Sequence, residues 1–359
     1  MAAPLAPRPL RIAIVAPPFY ELPPRAYGGT ELVCYVLAEG LLARGHEVTL
    51  VGAGPNRTGA RFVATFAEPQ LEGTQSQGMI DVLHAIRATT ALASIPLDVV
   101  HDHTRTGLLT ASARQAPTVA TVHAPVAGPR SEGEIFAALA QFGRIPLVAL
   151  SDSQRRGAPD LDWIATVHNG IRVEEYPFVD AKEDFVLFLG RTSDEKGVHV
   201  ALDAAREAGR RLVIAGSWTI PSEQEYFERH VRPRLGSEAE WVGEVDAEEK
   251  KDLLGRAACV VFPALWEEPF GLVIVEALAC GTPVAGLRAG AVPELLDERT
   301  GAVADDAAGL ADAIRRAVDL DPSACRARAE SRFSTEAMVR GYEAVYDRVL
   351  AGPAGQSPP

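Results

Sequence analysis

Short β-branched runs, each closed by turn residues and usually followed by an amphipathic stretch, recur along this chain in two series, and this alternation restricts the fold more than any other feature. The first series occupies residues 12–15, 48–51, 98–101, 118–122 and 147–150. The second occupies 185–189, 211–215, 240–242, 259–262 and 283–285. A strand followed by a helical crossover forces the next strand of the same sheet to run parallel. Each series therefore predicts one Rossmann-like unit, and the polar, acidic stretch 173–182 divides them. At 359 residues the chain exceeds what one hydrophobic core usually organises. The expected fold is α/β, with two Rossmann-like domains facing a central cleft, residues 1–175 and 176–334. A last helical pattern over 335–350 sets Met338, Tyr342, Val345, Tyr346 and Val349 on one face. It is expected to return to the first domain, with a disordered Gly/Pro/Ser-rich tail at 351–359.

Charge removes several function classes. The net charge of −13 argues against a nucleic-acid partner, which needs a basic face to neutralise phosphates. Residues 1–175 hold 14 Arg and no Lys against 16 acids, whereas 176–359 hold 21 cations against 32 acids. The nearly neutral first half also argues against strong association with an anionic membrane. No apolar run reaches the ~20 residues that span a bilayer. The N-terminal segment leading into 12–15 lacks the apolar length and cleavage site of a secretion signal. Cys34, Cys259, Cys280 and Cys325 are far apart and form no metal-ligand spacing, as expected of buried thiols in the cytoplasm.

Four motifs carry chemistry. Gly28-Gly29-Thr30-Glu31 opens a helix over about 31–43, and glycines there let a ligand reach backbone N–H groups, although a plain tight turn would look the same. Gly190-Arg191 ends a strand, with Lys196-Gly197 at the next helix start, so two cations suited to a diphosphate lie beside one strand end. This chain has only four lysines, Lys182, Lys196, Lys250 and Lys251. The segment 266–284 follows the apolar strand 259–262 and places Glu268 in a loop. Pro269 and Gly271 then start a helix, and Glu276 falls in its second turn. The amides of Phe270, Gly271 and Leu272 are thereby free to face an anion, with the two carboxylates bracketing the ligand. An acid at 276 within an apolar stretch needs a partner.

Together with Asn169-Gly170-Ile171, these motifs resemble glycosyltransferase family 4, retaining enzymes of the two-domain B-type fold. The resemblance covers nearly the whole chain in the family's order. It implies that Arg191 and Lys196 bind the donor diphosphate and that Glu276 holds the ribose hydroxyls. Glu268 would touch the transferred sugar, and Phe270, Gly271 and Leu272 would contact sugar and phosphate through backbone. Gly28 and Gly29 would face the diphosphate from across the cleft. His123, in Thr121-Val-His-Ala-Pro125, matches the family's active-site histidine. Tyr27, His101 and His103 are assigned to the acceptor side.

The implied reaction moves a sugar from a nucleoside-diphosphate sugar, UDP preferred, to a hydroxyl of a small molecule or oligosaccharide. No first-domain acid near His123 or Gly28-Gly29 fits a carboxylate nucleophile, which favours same-face attack over double displacement. The D-x-D at Asp160-Leu-Asp162 stands in a loop well before the donor motifs, so neither a metal nor another cofactor is expected. Two other classes stay open: a nucleotide-sugar epimerase or phosphorylase of the same architecture, and a non-catalytic nucleotide-sugar binding protein.

Overall fold

A computed structural model describes residues 8–25, 27–70, 77–128, 131–143 and 145–352. Most of the anticipated tail lies outside the described residues. Within these limits the chain forms two parallel sheets. The first comprises β1 (Arg11–Val15), β2 (Glu47–Ala53), β3 (Arg61–Phe66), β4 (Val99–Asp102), β5 (Thr118–Thr121), β6 (Leu147–Ala149) and β7 (Trp163–Thr166). The second comprises β8 (Phe185–Leu189), β9 (Arg211–Ala215), β10 (Ala239–Gly243), β11 (Cys259–Phe262), β12 (Val284–Leu287) and β13 (Gly301–Ala304). Their orders are β3-β2-β1-β4-β5-β6-β7 and β10-β9-β8-β11-β12-β13.

The strands read as unbroken apolar runs because both faces of each sheet are covered. In β1, Ile12 and Ile14 enter one core while Ala13 and Val15 enter another. Phe185 and Leu187 of β8 likewise face one core and Val186 and Phe188 a second. The sequence reading places ten of these strands but misses β3, β7 and β13. All three are edge strands. Trp163–Thr166 is only partly buried and Gly301–Ala304 is built from small residues, so neither displays the apolar density of an interior strand.

The last helix, Thr335–Ala351, does pack on the first sheet, burying Met338, Val339, Tyr342, Val345 and Tyr346 against Ile12, Ile14 and Leu37. Ser334 caps its N-terminus by accepting from the Ala337 amide at 3.3 Å. Its approach to the helix Gly29–Ala43 is close, since a Cβ on Gly40 would stand 2.6 Å from Thr335 Cγ2. The two interdomain crossings run side by side. Ile171 N–H donates to the Phe333 carbonyl at 2.8 Å, and Thr335 N–H to the Ile171 carbonyl at 3.0 Å.

Strand order reverses between β1 and β4 in one sheet and between β8 and β11 in the other. Open parallel sheets bind ligands beyond the carboxyl ends of strands at such points. Gly28 and Gly29 follow β1, Gly190 and Arg191 follow β8, and the loop 263–271 follows β11. All of these reach the same interdomain cleft.

Candidate active site

The cleft encloses about 390 Å³. Its first-domain wall includes Tyr27, Gly28, Gly29, His123 and Asn169, and its second-domain wall Arg191, Lys196, Lys250, Glu268, Phe270, Gly271, Leu272 and Glu276. Two helix starts meet here. The helix Gly29–Ala43 follows Gly28 at φ 132°, and the helix Leu272–Ala279 follows Gly271 at φ 99°. Neither has a side-chain cap; Leu32 N–H and Ile274 N–H bond back to the Gly28 and Gly271 carbonyls, which leaves the N–H groups at the very start of each helix for a ligand. They approach closely, because a Cβ on Gly29 would lie 3.0 Å from Leu272 Cδ1. Gly271 caps the second helix, and Pro269 stands outside it, which corrects the expectation that Pro269 begins the helix.

The charged groups are paired across the cleft wall. Lys196 Nζ donates to Glu268 Oε2 at 2.6 Å, and Trp266 Nε1 donates to the same oxygen at 2.8 Å. Lys196 also stands 4.9 Å from the Trp266 ring centre. Arg191 bonds Glu223 through Nη1 and reaches Glu195 through Nη2 at 3.3 Å. Glu276, 3% exposed, accepts at Oε1 from Tyr176 Oη at 2.8 Å and from Lys250 Nζ at 2.6 Å. These supply the partners that an acid in an apolar stretch requires. Burial, reinforced by the Glu276 charge, holds the Tyr176 hydroxyl well above its ordinary pKa, so it stays a donor.

Lys250 and Tyr176 escape the sequence reading. Lys250 sits in the helix Ala247–Arg256, whose Asp246–Glu249 capping box and dense charge read as a solvated surface element. Its one signal was the scarcity of lysine in the chain. Tyr176 reads as part of a linker.

On the first-domain side His123 lies just beyond β5, with Nε2 2.8 Å from His103 Nδ1. Burial lowers its pKa to about 4, so the ring is neutral near pH 7. The acceptor-side assignment of His101 and His103 needs correction. His101 is fully buried between Tyr346 Oη, 2.9 Å from Nδ1, and Thr121 Oγ1, 2.8 Å from Nε2. His103 is 4% exposed and stands behind His123. Neither lines the cleft; both point into the core beneath the last helix, where a strand-end histidine read from sequence gives no hint of being covered. Tyr27, by contrast, is 43% exposed at the cleft mouth. The four cysteines are free and buried. Asp160 and Asp162 precede β7 and thus lie at the sheet end away from the cleft. No described helix is long and apolar enough to cross a membrane.

Residues 27–175 match the family model described as Glycosyltransferase Family 4, and residues 174–332 the model described as Glycosyl transferases group 1. Over 382 aligned residues the chain is 31% identical to glycogen synthase of Mycobacterium tuberculosis, with 90% of this chain and 89% of the relative covered. The chain belongs to glycosyltransferase family 4. Among solved structures, this family 4 enzyme is similar to AviGT4, described as a glycosyltransferase involved in avilamycin A biosynthesis. That match has a TM-score of 0.75 and 27% identity over 96% of this chain and 99% of the other. The fold is also that of Anabaena HepE in complex with UDP-glucose, with a TM-score of 0.73 and 18% identity over 94% and 100% of the two chains. The two-sheet architecture is accordingly the B-type glycosyltransferase fold, and family 4 membership makes the protein an enzyme of sugar transfer.

Proposed function

We propose that this family 4 enzyme transfers a sugar from a nucleoside-diphosphate sugar, UDP preferred, to a hydroxyl of a neutral acceptor, retaining the anomeric configuration and using no metal. The observation that carries the reading is the meeting of two uncapped helix starts, each on a positive-φ glycine, with Arg191 and Lys196 beside them. Helix-end amides and their dipoles favour a diphosphate, and the cations offset the charge that grows as the bond to the sugar breaks. Glu276 uses Oε1 for Tyr176 and Lys250, leaving Oε2 to accept ribose hydroxyls. Glu268, already held by Lys196 and Trp266, is oriented to accept hydroxyls of the transferred sugar. Similarity to glycogen synthase and to a fold that binds UDP-glucose favours a UDP-hexose and a glycan-like acceptor.

The first-domain wall of the cleft, among the described residues, presents no carboxylate and no cation. The missing carboxylate supports same-face attack over double displacement, and the missing cation supports an uncharged acceptor. In that reaction the electron pair of the anomeric C–O bond passes to the departing diphosphate. The acceptor oxygen forms the new bond on the same face, and a donor phosphate oxygen takes its proton. Amides, Arg191 and Lys196 take the part that a divalent ion plays in other transferases. The test is nucleoside-diphosphate release from UDP-glucose with and without a maltooligosaccharide, in the presence of EDTA, with the product anomer read by NMR. Acceptor-dependent release with the donor's configuration kept is expected. An inverted product, or activity lost to EDTA and restored by Mn²⁺, overturns the mechanism, and release without acceptor points to an epimerase or hydrolase.

A further inference from the structure

From His123 in the cleft wall a polar chain leads into the core, and the transfer reaction as described does not use it. His123 Nε2 meets His103 Nδ1 at 2.8 Å, and the rings of His103 and His101 lie 4.1 Å apart, centre to centre. His101 bonds Tyr346 Oη and Thr121 Oγ1, and Thr121 Oγ1 stands 3.0 Å from Tyr342 Oη. His101 therefore has both nitrogens engaged, and its ring holds His103 in place from one side.

With the three imidazoles this close, and His101 and His103 buried, all stay neutral near pH 7, desolvation being the chief cause for each. Every ring then carries one N–H and one lone pair, and the bond between His123 and His103 can run either way. Were His123 Nε2–H to donate to His103 Nδ1, the proton of His103 would sit on its Nε2. That atom is buried and has no partner among the described residues. An orphaned N–H is rarer and costlier than an orphaned lone pair. The opposite direction leaves only a lone pair at His103 Nε2. His103 Nδ1–H then donates to His123 Nε2, and the His123 proton must sit on Nδ1. His123 lines the cleft, and its Nδ1 makes no hydrogen bond to a described residue.

We propose that His103 is a positioning residue that fixes the tautomer of His123, so that His123 offers Nδ1–H to the cleft as a hydrogen-bond donor and has no lone pair there to act as a base. The consequence for the reaction rests on the sugar-transfer reading above. His123 then steadies a hydroxyl of the sugar, and proton removal from the acceptor falls to the donor phosphate. The tautomer itself is independent of that reading.

The test uses histidine-labelled, ¹⁵N-enriched full-length enzyme without ligand at neutral pH, with long-range ¹H–¹⁵N correlation. The His123 signal is assigned by its loss in His123→Gln. The expected pattern is a protonated-type shift at His123 Nδ1 and an unprotonated-type shift at Nε2. In His103→Asn the amide nitrogen occupies the place of Nδ1, so tautomer and turnover are retained. His103→Gln moves the donor to the other end of the side chain. There His123 takes a proton on Nε2, and kcat falls on the order of tenfold while UDP binding is unchanged. A protonated Nε2 on His123 in the unmodified enzyme overturns the proposal, as does an identical His123 pattern in His103→Gln. Because the spectrum requires no substrate, it stands if the enzyme uses another donor. The expected tautomer together with full activity in His123→Gln would sink the reading of the site and leave the His103 inference intact.

Discussion

At the scale of single residues, the charged groups of the cleft arrive already paired, and the pairs set what each substitution does. Lys196 and Glu268 hold each other at 2.6 Å, so removing either leaves the other misplaced as well as unpaired. Lys196→Ala and Glu268→Ala should each lower turnover on the order of 10²-fold, as loss of one charge-stabilising contact commonly does. Steady-state kinetics with saturating donor checks this, and their double variant should lose little more than either single one. Glu276 is anchored by two donors of unequal weight. Lys250→Ala should raise KM for the donor on the order of tenfold with a smaller change in kcat, because a charged hydrogen bond to a buried acid is lost. Tyr176→Phe should change KM about two- to threefold, since Lys250 still holds the carboxylate. Two acids eight positions apart, and an Arg-Lys pair at a strand end, are legible as chemistry because their spacing is local. Lys250 and Tyr176 were not, because each comes from a distant segment and meets Glu276 only after folding.

At the scale of elements, glycine decides how closely strand ends and helix starts can approach. Gly197 has φ 70°, and a Cβ there would lie 2.2 Å from the Pro263 carbonyl oxygen. Gly197→Ala should cost about 1–3 kcal/mol of stability and displace Lys196 from Glu268, seen as a lower urea midpoint together with reduced kcat. Histidines covered at the ends of β4 and β5, and His84 in the helix Gln77–Leu92, tie folding to pH. Burial lowers His84 to about 4, His101 to about 3 and His123 to about 4. A lowered folded pKa means that between about pH 4 and 6.5 the unfolded chain binds more protons than the folded one. Stability is therefore full above about pH 6.5 and falls as the pH drops, by about 1 kcal/mol per histidine between pH 6.5 and 5.5. Urea midpoints measured across that range should decline, and His84→Phe should reduce the slope. A midpoint independent of pH would contradict this burial.

At the scale of the whole molecule, the two domains are joined by paired crossings and by one acid. Glu294, in the short helix Val292–Leu295, accepts from the backbone N–H groups of Asp152 at 2.8 Å and Ser153 at 2.5 Å, across the domain boundary. His168 Nε2 lies 3.8 Å from the same carboxylate and its ring 5.8 Å from that of Phe270. Glu294→Ala should free the first turn of the helix Asp152–Gly157 and loosen the cleft. The expected result is a several-fold rise in donor KM, about 1 kcal/mol by the worth of charged hydrogen bonds, with the thermal midpoint of each domain little changed. Calorimetry with kinetics checks both. The sequence by itself determined the two parallel α/β units and the motifs that line their cleft, because apolar periodicity and short-range spacing are properties of neighbouring residues. Only the tertiary structure decided the edge strands, the partners of Glu276, the clamp at Glu294 and the burial of His101 and His103. Each of those depends on which distant surface covers a residue, and no local pattern records that.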